Sequence, residues 1–185
     1  MQKSTENGTG PVRVAMDAMG GDHGPSETVK GALAAARSAG AEIILVGDQG
    51  PVEQELAQHD TSGISVQVVQ SEDKIRDDEH PLQAMRTKPR SSVVVATKLV
   101  KTGDADVMVS MGSTGGSMAS AVLNLGLMEG LARPCLGGPF LGLAPNTVLV
   151  DIGSNLDCRP ELLLSFASMG VTWACLLYTS DAADE

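Results

Sequence analysis

Four short stretches of this chain set glycine beside hydroxyl, carboxylate or imidazole groups at or just after the end of an apolar run. They are "DAMGGDHGP" (17–25), "VGDQGP" (46–51), "SMGSTGGS" (110–117) and "DIGSN" (151–155). Glycine permits positive φ and lets backbone N–H groups come close to a ligand. A helix that follows such a loop adds unpaired amides and the positive end of its dipole. The chemistry these loops suit is the holding of an anion, phosphate above all. In the third loop Ser110, Ser113, Thr114 and Ser117 supply hydroxyls around Gly112, Gly115 and Gly116; in the first, Asp17, Asp22 and His23 surround Gly20 and Gly21. "GSTGGS" has neither the lysine of a P-loop nor the spacing of a dinucleotide fingerprint, so ATP and NAD are not implied and no cofactor is expected. Asp17, Asp22 and His23 match no metal-ligand spacing, and a capping Asp beside a loop histidine is the commoner meaning, so no metal is expected.

These loops need strands and helices to hold them. "VRVAMD" (12–17) reads as a strand. Val29, Ala32, Leu33 and Ala36 then fall at i, i+3, i+4 and i+7, between Pro25 and Gly40, which predicts a helix over 26–39. "EIILVGD" (42–48) is the continuous apolar run of a strand buried on both faces. "PVEQELAQH" (51–59) is a weaker helix, and "ISVQVVQ" (64–70) a strand exposed on one side. Ser91 or Ser92 caps a helix running to Lys101, with Gly103 as its stop. "ADVMVS" (105–110) is a strand, and the glycine-rich turn after it leads into a helix ending near Met128. "TVLVDIG" (147–153) is the last clear strand, and Pro160 opens a helix through Phe166 and Met169. Such alternation predicts βαβ units and a largely parallel sheet covered on both faces, with ligands at the carboxyl ends of the strands.

Composition narrows the classes. The chain has 185 residues, 42% hydrophobic, with mean hydropathy +0.04, as in globular proteins. No apolar run approaches the length of a membrane span, and "MQKSTENGTG" lacks the apolar core of a signal peptide, so residues 1–11 are expected to be a disordered tail. Cys135, Cys158 and Cys175 are an odd number at unrelated spacings, which argues against a disulfide framework or zinc site and fits a reducing cytosol. A net charge of −10 disfavours nucleic acid as a partner. The charge is uneven, however: residues 74–101 hold seven of the thirteen basic residues and only three acids. That segment can attract an anionic substrate or an acidic partner, or be a solvated helix face. Within it, Arg86 and Lys88 suit a phosphate clamp and suit solvent equally well.

Taken together and in order, "VAMDAMGGDHGP", "ILVGD", "DDEHPLQAMRTKPRSS", "LVKTGDADVMVSMGSTGGSMA", "ARPCL" and "VLVDIGSNLDCRPELLLSFASMG" resemble the bacterial phosphate acyltransferases, the acyl-ACP:phosphate transacylase (PlsX) family, from about residue 12 to 174. The resemblance implies a three-layer α/β/α fold of the isopropylmalate-dehydrogenase-like and phosphotransacetylase-like kind. It also implies a cytoplasmic homodimer loosely associated with the membrane, and transfer of a fatty acyl group from acyl carrier protein to inorganic phosphate. Phosphate is then the nucleophile, and no Ser-His-Asp set is required. On this reading Gly20, Gly21, Gly112, Ser113, Thr114 and Gly115, with Arg86, Lys88, Asp151 and Asn155, bind phosphate. His23 donates a proton or hydrogen bond as the thiolate leaves, with Asp17 beside it in the catalytic set.

The chain departs from the family in several places. Ser113 stands where the family has Asn, Arg90 where an acidic residue is expected, and 136–146 follows the pattern loosely. "LLYTSDAADE" looks like translated sequencing-adapter read-through, so residues 175–185 are expected to be foreign and 12–174 the N-terminal part of a longer acyltransferase domain. Two alternatives stay open: an acyl-CoA enzyme of the phosphotransacetylase kind, and a non-catalytic fragment that binds phosphate or acyl carrier protein.

Overall fold

The computed structural model describes residues 10–139, 144 and 146–178, and divides after Gly126 into two units. The expected N-terminal tail, except Gly10 and Pro11, and the last seven residues lie outside the described residues, as does part of 136–146.

The first unit runs β1 (Arg13–Asp17), α1 (Ser26–Ala39), β2 (Glu42–Gly47), α2 (Gln49–Leu56), β3 (Val66–Gln70), α3 (Pro81–Thr87), α4 (Ser92–Thr102), β4 (Val107–Ser110) and α5 (Thr114–Leu125). Its four strands are parallel in the order β3-β2-β1-β4. Because side chains alternate along a strand, each central strand serves two cores. Met16, Ile43 and Leu45 pack with Val29 and Leu33 of α1 and Val52 of α2 on one face. Ala15, Ile44 and Val46 pack with Ala96 of α4 on the other. A third cluster, Ile75, Ala84, Met85, Val93 and Val94, joins α3 and α4, and α5 packs on both of these helices. This is the expected α/β architecture with helices on both sides of a parallel sheet.

Helix stops follow the sequence. Gly40 (φ 66°) and Gly103 (φ 80°) take the left-handed conformation and return their N–H groups to Ala36 O and to Leu99 and Val100 O. Helix starts follow it less closely. Ser91 occupies the N-cap of α4, yet its hydroxyl makes no capping bond; the neighbouring Ser92 N–H donates to Asp73 O at 2.9 Å instead. Helix α3 was not among the expected elements. It has seven residues, too few for an apolar period, and its signal is Pro81 at the first position.

At the open edge of the sheet, Arg13 holds the start of β1 to the turn before β4. Its guanidinium donates to Asp106 Oδ1 (2.6 Å) and Oδ2 (3.1 Å) and to Gly103 O (2.8 Å). Val107 and Val109 lie on the α1 side but are each 39% exposed, because α1 spans β1 and β2 and stops short of β4.

The second unit holds β5 (Gly137–Pro139), β6 (Val148–Val150) and α6 (Pro160–Tyr178). Here the expectation needs correction: the strand foreseen over 147–153 is three residues long and pairs antiparallel with β5. Glycine makes this pairing feasible, since a Cβ at Gly137 would run into the Leu149 carbonyl. Helix α6 opens at Pro160, as expected, runs through Phe166 and Met169 and continues as far as Tyr178. By length and composition alone it could cross a membrane: 19 residues, mean hydropathy 1.4, with 6% of that stretch buried. Ser165, Ser168 and Thr172 interrupt the apolar run in the sequence, but each hydroxyl donates to the carbonyl four residues earlier, and Glu161 is the helix's one charged residue.

Candidate functional site

The strand register sets the site. Asp17 ends β1 and Ser110 ends β4, and the two are paired. The Ser110 hydroxyl donates to Asp17 Oδ2 at 2.7 Å and accepts from the Gly112 N–H at 3.1 Å. Met19 N–H donates to Asp17 Oδ1 at 3.2 Å. The carboxylate, on a residue 3% exposed, therefore organises the starts of two loops at once. Those loops interlock at glycine. A Cβ on Gly20 would stand 2.8 Å from Gly112 N and 2.9 Å from Asp17 Oδ2. Gly21 has φ +81° against the Met111 carbonyl, a conformation other residues rarely adopt.

A pocket of about 180 Å³ lies beside this junction. One wall is Met19, Gly20, Gly21 and Asp22, another is Gly112 and Ser113, and the third is Lys74, Ile75, Arg76 and Asp77. Ser113 is the N-cap of α5, its hydroxyl accepting from Gly116 N–H at 3.2 Å. Capping is a task Asn also performs, so the Ser at this position keeps the helix start intact. Thr114 and Gly115 open α5. The other two glycines here serve close packing: a Cβ on Gly115 would meet Pro81 Cγ at 2.7 Å, and one on Gly116 would meet Ile75 Cγ2 at 3.0 Å.

The structure thus brings Asp17, Gly20, Gly21, Gly112 and Ser113 together, with Thr114 and Gly115 following directly. Other foreseen residues lie elsewhere. His23 lines a separate surface hollow with Ser26, Glu27 and Glu55. Arg86 is exposed in the last turn of α3, and the Lys88 ammonium is paired with Glu79 at 2.7 Å; neither lines the pocket. The loop at 46–51 does not line it either, for Gly47 is closed in by Val52 and Met19. Conversely, residues 74–77 carry no glycine and gave no motif. Their signal was the charge of the basic segment 74–101 that they open, together with position: they follow the carboxyl end of a parallel strand.

Asp151 and Asn155 belong to the second unit. There the Asp151 carboxylate accepts from Leu136 N–H (2.9 Å), Asn155 N–H (2.8 Å), Asn155 Nδ2 (3.0 Å) and the Ser154 hydroxyl. Burial works to raise this carboxyl, but the bonds from Ser154, Leu136 and Asn155 outweigh it and hold it at about 2. A folded value below the unfolded one, about 3.9, stabilises the fold above roughly pH 4 and loses that contribution as pH falls towards 2. Asp151→Asn should therefore remove an acid-dependent loss of stability between about pH 4 and 2. Urea unfolding followed by Trp173, the chain's one tryptophan, reads this unit; parallel pH profiles for the two proteins would contradict it.

With two cations, two carboxylates, glycine backbone and a serine around a small hollow, the pocket of the first unit suits a small oxyanion rather than a nucleotide. Comparison with known proteins bears on which. A family model described as "Fatty acid synthesis protein" matches residues 12–182. The phosphate acyltransferase of Herpetosiphon aurantiacus is 47% identical over 163 residues, 88% of this chain and 44% of its own length. That of Desulforamulus reducens is 44% identical over 163 residues, 88% of this chain and 49% of its own. That of Trichodesmium erythraeum is 40% identical over 176 residues, 94% of this chain and 52% of its own. The chain spans about half the length of these curated relatives. It belongs to the family of fatty acid synthesis proteins that includes the phosphate acyltransferases.

Proposed function

We propose that this protein takes part in acyl transfer to inorganic phosphate, with a fatty acyl thioester of acyl carrier protein as donor. The observation that carries the reading is the pocket at Gly20–Gly21 and Gly112–Ser113, small, polar and bordered by Lys74 and Arg76, in a chain 40–47% identical to proteins named phosphate acyltransferase. A phosphate oxygen attacks the thioester carbonyl carbon, the C–S bond breaks, and the thiolate takes up a proton, giving acyl phosphate and free carrier thiol. Phosphate supplies the nucleophile, so the protein's contribution is positioning and stabilisation of the developing oxyanion. The basic residues of 74–101 give an acidic carrier protein a surface of opposite charge. We place the protein in the cytoplasm, as a homodimer with peripheral membrane contact; the exposed Leu163, Leu164 and Val171 of α6 support that contact.

The test supplies acyl carrier protein thioester and phosphate to the 185-residue chain and follows thiol release and hydroxylamine-trapped acyl phosphate. Release that requires phosphate, and is faster with the carrier-protein donor than with acyl-CoA, is the expected result. A preference for acyl-CoA would move the assignment to a phosphotransacetylase-like enzyme. Ser113, where the family resemblance leads one to expect Asn, favours a second reading, a module that binds phosphate or carrier protein without turnover. Binding of either with no phosphate-dependent thiol release would support that module and overturn the enzyme.

A further inference from the structure

Resting on the phosphate reading of this pocket, we infer that Lys74 is the side chain that meets the anion, and that Lys88 is a positioning residue that acts through Lys74. Of the seven basic residues in 74–101, Lys74 and Arg76 alone line the pocket. The Arg76 guanidinium is engaged by Asp78 (Nε to Oδ1, 3.1 Å), and its backbone N–H donates to Glu79 Oε2 at 2.9 Å. The Lys74 ammonium has no ion-pair partner among the described residues. Lys74 lines a polar hollow that also contains Asp22 and Asp77, and its ammonium, without an ion-pair partner, is the group able to offset a phosphate's charge there.

Lys88 is bonded to this loop. Its ammonium donates to the Lys74 carbonyl (3.1 Å) and to Glu79 Oε2 (2.8 Å), with Glu79 Oε1 at 2.7 Å, and both side chains are 23% exposed. One cation thus grips residues 74 and 79 together and closes the segment between them into a loop. Ile75, 7% exposed and packed against Gly116 at the start of α5, is the loop's wedge into the core. Lys88 is neutralised by Glu79, and what it delivers to the pocket is the position of the Lys74 backbone.

The experiment is a titration of inorganic phosphate into the 185-residue chain, read by calorimetry and phosphorus NMR. Lys74→Gln should weaken phosphate binding roughly tenfold or more, as loss of a charge-assisted bond does, while Lys74→Arg stays near the parent. Lys88→Met should weaken it too, Lys88→Arg should restore it, and Lys74→Gln/Lys88→Met should be no weaker than Lys74→Gln alone, because Lys88 acts through Lys74. Amide exchange over residues 74–79 should quicken in Lys88→Met and not in Lys74→Gln. If the parent binds phosphate and Lys74→Gln binds it equally well, the assignment of Lys74 fails while the phosphate pocket stands. Additive losses in the double variant overturn the positioning role of Lys88. A parent chain that binds no phosphate overturns the pocket reading and this inference together.

Discussion

Replacing Gly20 by alanine should destabilise the first unit by about 1–3 kcal/mol, the usual cost of an overpacked site, and abolish the phosphate binding proposed for its pocket. The new methyl would stand 2.8 Å from Gly112 N and 2.9 Å from Asp17 Oδ2, closer than carbon tolerates. Neither neighbour can give way cheaply. Gly112 N is backbone, held by the Ser110 hydroxyl, and the carboxylate is held by Ser110 and by Met19 N–H. The two loops must part, and the pocket wall they share goes with them. Gly31 is the control: it lies in the interior of α1, nothing stands within 4 Å of its Cβ position, and alanine there should stabilise by about 0.5–1 kcal/mol. Urea unfolding monitored by circular dichroism separates the two. A Gly20→Ala midpoint indistinguishable from the parent's would sink the interlocked-loop account.

Asp17→Ala carries the second large effect. It leaves the Ser110 hydroxyl and the Met19 N–H without their acceptor at a residue 3% exposed, at a cost of about 1–3 kcal/mol. Asp17→Asn keeps the shape and one acceptor oxygen. It turns the other oxygen into a donor facing Ser110, so its cost should fall between the parent and Asp17→Ala. The same order should appear in phosphate affinity, since the carboxylate sets where Gly20 and Gly112 stand. Equal midpoints for the three proteins would mean that Asp17 does not join the loops.

These effects also mark how much could be read from residues alone. All elements of the first unit but α3 were legible, most of them by period: Val29, Ala32, Leu33 and Ala36 give one helical stripe, and "EIILVG" gives a strand buried twice over. Two of the four glycine loops were legible as partners in a site because both follow strands. Which two meet depends on sheet order, and order is a property of long-range pairing that a local pattern does not encode. Residues 74–77 showed only as the start of the basic segment 74–101, and their place in the pocket stayed hidden for the same reason: they reach it by crossing from β3, an edge strand. The charge of Lys88 is visible in the sequence, whereas its pairing with Glu79 is not. The short antiparallel pair β5–β6 was hidden because three residues are too few for a period to declare itself.

The sheet order has a consequence in time. Within its unit β1 leaves the ribosome before the other three strands and lies in the interior of the sheet, and its second neighbour, β4, is the last of the four to be made. The bond between Asp17 and Ser110 spans 93 positions of chain. At about 5–20 residues per second of synthesis, β1 waits several seconds beside β2 with one edge bare. Closing so long a loop is the slow kind of contact. The Gly20–Gly112 junction cannot assemble before that closure, so the pocket beside it is, by topology, among the last features of its unit to be born.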